Sequence, residues 1–78
     1  VLKLAKTSSL RANALGESGT LYFLQQQPEK AIPHYRQARD LSRQLGVLPD
    51  AARWASNLTA ALAALEDWAG AEEALQSA

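Results

Sequence analysis

The chain has 78 residues, so it is at most one small domain or a piece of a larger one, and its 8 basic side chains balance its 8 acidic ones. A net charge of zero argues against a nucleic-acid clamp or a membrane-surface sensor, both of which carry a basic excess. The absence of cysteine excludes disulfides and thiolate metal sites, the single His34 cannot build a zinc site without several carboxylates, and no apolar run approaches the ~20 residues of a membrane span.

The apolar residues are mostly alanine and leucine, and the β-branched residues are few: Val1, Val47, Ile32, Thr7, Thr20 and Thr59. That composition favours helices over strands and predicts an all-α chain. Residues 1–8 read as the stub of a preceding helix or a linker. Ser9 is an N-cap candidate for a first helix over 9–26. Pro28 suits the first turn of a second helix over 28–45, where its missing N–H would be unpaired anyway. Pro33 falls inside that helix and predicts a mild bend. Gly46 supplies the left-handed stop, and Pro49 follows shortly. A third helix is expected over 50–66 and a fourth over 68–77. Connections this short force antiparallel helix hairpins.

Sliding the sequence on itself by forty residues aligns Ala12 with Ala52, Tyr22 with Leu62, Ala31 with Ala71, Tyr35 with Leu75 and Gly19 with Thr59. Small residues at Gly19, Ala31 and Ala38 let helix backbones approach, and Leu15, Tyr22 and Tyr35 fill the space beside them. The chain is therefore expected to hold two units, 9–46 and 47–78. Trp54, Leu58, Ala61 and Leu65 should face the second helix and meet Ala38, Leu41 and Leu45.

The stretch Leu15–Tyr22 followed by Pro28–Ala38 resembles the tetratricopeptide repeat, and Ala52–Leu62 followed by Asp67–Leu75 resembles it less fully. The pattern of large, small and aromatic, then alanine, aromatic and alanine, is met at Leu15, Gly19, Tyr22, Ala31, Tyr35 and Ala38. Ala55 and Thr59 depart from it. The period of forty exceeds the usual ~34 and is similar to extended forms of the repeat. The resemblance implies a fragment of a right-handed α-solenoid that serves as a protein–protein interaction scaffold without a cofactor, and the composition, free of cysteine and of a signal-peptide pattern, fits a cytoplasmic origin.

Residues that could carry chemistry have blander readings. His34 has no orienting carboxylate or nucleophile nearby in sequence. Glu66-Asp67 and Glu72-Glu73 point apart on a helix and read as a solvated acidic face. Arg36, Arg39 and Arg43 form a basic stripe with Asp40 beside it. No nucleophile motif, phosphate loop or metal cluster is present, so an enzyme is disfavoured and no metal is expected.

Two stripes are more informative. Asn13, Glu17, Thr20 and Leu24 share one helix face, and Arg53, Asn57, Ala60 and Ala64 repeat it forty residues on. The resemblance implies that these stripes line a concave groove for a peptide or helical segment of another protein, and that Asn57 matches an asparagine that binds peptide backbone. Glu17 and Ala60 depart from that pattern. A second reading is an assembly module that stacks on neighbouring repeats or another copy. Leu62, Ala71, Ala74 and Leu75 should leave an apolar flank, so flanking repeats of a longer parent chain and self-association are both expected. Neither nucleic acid nor a membrane is expected as a partner. The missing initiator methionine fits an excised or processed piece.

Overall fold

The computed structural model describes residues 2–67 together with Gly70, Glu73 and Ala74, with side chains from Ser8 onward. Three α-helices follow one another: α1 (Leu2–Leu24), α2 (Pro28–Gln44) and α3 (Leu48–Ala64). Among the described residues there is no strand. The all-α expectation holds. α2 packs against both α1 and α3, while α1 and α3 meet only lightly.

Several boundaries differ from the sequence reading. α1 begins at Leu2, so Ser9 lies inside it and caps nothing. The reason is local: Leu2, Lys3, Leu4, Ala5 and Lys6 are all good helix formers, and no glycine or proline separates them from Ser9. α3 begins at Leu48 after an N-cap at Val47, which places Pro49 in the first turn. A first-turn proline loses no intrahelical bond, so the helix forms around it. α2 runs through Pro33 unbroken. The fourth helix is described only at Gly70, Glu73 and Ala74, which are helical, and the rest of the expected 68–77 lies outside the described residues.

The three helices end in the same way. Gln27 N–H donates to Tyr22 C=O at 2.9 Å and Gln26 N–H to Phe23 C=O at 3.0 Å. Val47 and Gly46 repeat the pair onto Ser42 and Arg43, and Asp67 and Glu66 repeat it onto Leu62 and Ala63. This double bond is the Schellman stop, and it requires a left-handed residue in each turn. Gly46 was legible as that residue, with φ 75. Gln26 (φ 62) and Glu66 (φ 60) take the same conformation without glycine's freedom.

The core sits on one row of α2. Ala31, Tyr35, Ala38 and Ser42 are all buried there. Across from them α3 buries Trp54, Leu58, Ala61 and Leu62, with Leu15, Tyr22, Phe23 and Ile32 packed against the cluster. Trp54, Leu58 and Ala61 thus point inward as expected. Leu65 does not: it is 45% exposed. It lies past the end of α3, in the turn, where the helical period that placed it inward no longer applies.

Candidate functional site

α1 and α3 flank α2, and the two stripes singled out from the sequence fall on these two helices. At an offset of forty residues the stripes correspond as Asn13 with Arg53, Glu17 with Asn57, Thr20 with Ala60, and Leu24 with Ala64. At the first of them Arg53 Nη2 donates to Asn13 Oδ1 at 2.8 Å, which joins residues forty apart. The Arg53 guanidinium also lies over the Trp54 ring, 4.1 Å from its centroid. At the third, Thr20 and Ala60 line a hollow of about 190 Å³ with Phe23, Tyr35 and Asn57. Beyond it Ala64 lines a second concavity with Phe23, Gln26 and Pro28. Asn13, Glu17, Leu24, Arg53, Ala60 and Ala64 are exposed, and Thr20 and Asn57 are half-buried.

The hollow has a polar floor built by the fold. Tyr35 Oη donates to Thr20 Oγ1 at 2.9 Å, and Thr20 Oγ1 donates to Gly16 C=O at 3.2 Å. Thr20 is thereby committed to holding α1 against α2. Asn57 has no such commitment among the described residues. Phe23 lines both concavities and was missed by the sequence reading. At an offset of forty Phe23 falls on Ala63, neither a small nor an aromatic match, so the recurrence gives no signal for it.

The stripes stay in register because the backbones come close. A Cβ on Gly19 would meet the Tyr35 ring at 2.9 Å. A Cβ on Gly16 would fall on the Trp54 ring itself. The Tyr35 and Trp54 rings stack with centroids 6.1 Å apart and planes 23° from parallel. Trp54 therefore reaches past α2 to α1, a contact that the sequence did not disclose.

Among the described residues, the side chains with bland readings make local contacts. His34 Nδ1 lies 2.9 Å from the Lys30 carbonyl oxygen, and its ring leans on Tyr22 at 5.0 Å. Arg39 pairs with Asp40 at 3.0 Å. Asp67 Oδ1 accepts from Gly70 N–H at 3.0 Å, a helix-capping contact. Among the described residues no group of three or more metal-ligating side chains gathers, and no helix is long and apolar enough to cross a membrane.

With the helix order, the forty-residue recurrence and the small-residue contacts in view, the decisive comparison is with protein families. A family model described as tetratricopeptide repeat matches residues 10–78. The chain belongs to the tetratricopeptide repeat family. Membership places it among protein–protein interaction scaffolds, which engage partner proteins through stacked helix pairs. Comparison with curated proteins and with solved structures found no match.

Proposed function

We propose that this tetratricopeptide repeat chain holds a peptide or helical segment of a partner protein in the groove between α1 and α3. The observation that carries the reading is the hollow bounded by Thr20, Phe23, Tyr35, Asn57 and Ala60. It is apolar at its walls, yet a half-buried amide at Asn57 opens onto it with no partner of its own among the described residues. Polar groups placed sparingly around an apolar recess are what orient a ligand. The mechanism is passive: rigid helix pairs present spaced side chains, and no chemical step or cofactor is involved. A cytoplasmic setting belongs to the same proposal.

A display selection of random peptides against the chain tests this. Selected peptides should lose binding to Ala60→Trp, which fills the hollow from an exposed helix position. Peptides that bind the variant as well as the parent would sink the groove reading.

The assembly reading has one observation in its favour. Forty residues before Trp54, Leu58 and Ala61, which α2 covers, stand Ala14, Ser18 and Leu21 on the outward face of α1. Leu21 is 60% exposed and Leu10, on the same face, 64%. Sedimentation over a concentration series, repeated with Leu21→Glu, distinguishes this role: self-association abolished by the charge supports it, and a monomer at all concentrations rules it out.

A further inference from the structure

The chain uses one interface internally and leaves both of its halves open elsewhere. Inside, α3 turns Trp54, Leu58 and Ala61 toward α2, and Trp54 reaches on to lie over Gly16 of α1. Forty residues earlier, that inserting surface becomes Ala14, Ser18 and Leu21 of α1, where Ala14 and Leu21 are exposed. Forty residues later, the receiving surface at Ala12 and Gly16 becomes Ala52 and Ser56 of α3. Ala12 and Gly16 are buried, whereas Ala52 and Ser56 are exposed. One end of the molecule thus presents an inserting face and the other a receiving face. Charge separates the two ends as well. Residues 1–49 hold seven basic and three acidic side chains, and residues 50–78 hold one basic and five acidic. Arg11 is exposed next to Leu10, and Glu66, Asp67 and Glu73 are exposed beyond α3. Like ends repel, and unlike ends attract.

We infer that copies of this chain join head to tail: the α1 face around Ala14 and Leu21 of one copy seats on the α3 face around Ala52 and Ser56 of the next. The inference rests on the assembly reading and adds the partner surface and its orientation to it. A contact between two different faces leaves one of each kind free, so it repeats as an open stack instead of closing as a symmetric dimer. The junction is looser than the internal contact that it copies. Where Trp54 fills the space over Gly16 inside one chain, two copies bring Ala14 to Ser56. A methyl stands in for an indole, and a hydroxymethyl group stands where the internal contact has bare backbone. Less volume fills the same gap, so packing contacts are lost and association depends on concentration.

Sedimentation of paired variants tests this, with circular dichroism confirming that each folds. Leu21→Glu disables the α1 face and Ser56→Arg the α3 face, and both positions are exposed. Each variant alone should be monomeric. Mixed, they should form a one-to-one dimer, because each supplies the face that the other lacks. Association of Ser56→Arg by itself would show that like faces pair, which overturns the inference and leaves the assembly reading standing. A mixture that stays monomeric while the parent associates overturns it likewise. A parent that is monomeric at every concentration, or a Leu21→Glu variant that still associates, removes both. A second pair of variants reads the junction itself. Ala14→Trp should weaken association, because its ring meets the Ser56 side chain just as Trp54 would meet a Cβ on Gly16. Adding Ser56→Gly to that chain clears a seat for the ring and should tighten association about tenfold beyond the parent. Equal association of Ala14→Trp with and without Ser56→Gly would overturn the inference.

Discussion

α1 and α3 occupy equivalent places on either side of α2, yet they meet it with opposite surfaces. Among the described residues of α1, the fully buried positions are the small Ala12, Gly16 and Gly19, while the large Leu15, Tyr22 and Phe23 pack against the core only partly buried. α3 presents Trp54 and Leu58, among the largest fully buried side chains of the chain. The space over Gly16 is filled by Trp54 of α3 and that over Gly19 by the Tyr35 ring of α2, which stacks beside the indole. The two halves of a repeat array thus need not be copies in volume, provided that the sum across the interface is conserved.

The most damaging way to break this complementarity is Trp54→Ala. Emptying the space against Gly16 and Tyr35 should cost about 3–5 kcal/mol, a large share of a small domain's stability. Loss of the cooperative thermal transition at room temperature is the expected result, and an unchanged melt would place Trp54 outside the core. Gly16→Ala attacks from the opposite side. The added methyl meets a ring wedged between helices, so a cost of about 1–3 kcal/mol is expected in a urea titration. Combining Gly16→Ala with Trp54→Phe should recover part of that cost, and simple additivity of the two changes would show that the contact is not the source of the loss.

Smaller effects test the polar and backbone parts of the same frame. Tyr35→Phe removes the donor to Thr20 and should cost about 1 kcal/mol by equilibrium unfolding. The turns give the smallest change and the opposite sign. Gln26→Gly and Glu66→Gly relieve a left-handed residue at the ends of α1 and α3, and each should raise stability by about 0.5–1 kcal/mol. Gly46→Ala, in the matching turn after α2, should lower it by a similar amount. Three turns with one bonding pattern should respond in this ordered way, and equal responses from glycine and non-glycine turns would contradict it.

The architecture was legible where the signal was periodic. Gly19, Ala31, Tyr35 and Ala38 marked the α1–α2 contact because small and aromatic residues alternate there at helical spacing. Pro28 and Gly46 marked turns because each has one dominant backbone use. What the sequence hid had weaker local signatures. Ser9 has the side chain of a cap, but the strong helix formers before it carry α1 through that position. Gln26 and Glu66 carry no hint of a left-handed backbone. The reach of Trp54 to Gly16 is a pairing between residues 38 apart in sequence, outside the forty-residue recurrence. At the groove, the two stripes were visible from spacing alone, but Phe23 and the stacking of Arg53 on Trp54 needed the packed helices.

The sparse contact between α1 and α3 has a consequence for the order in which the chain can fold. Each helix leans chiefly on its neighbours in sequence, across turns of three residues, so few contacts wait for a distant segment to be closed into a loop. Chains of this kind fold fast, and α1 and α2 can pair while α3 is still being synthesised. That early hairpin lacks one part, since the cleft over Gly16 and beside Tyr35 stays open until Trp54 arrives. Trp54 therefore acts as a late latch on a hairpin already formed, and a nascent chain halted before it should hold its helices loosely and exchange its amide protons fast.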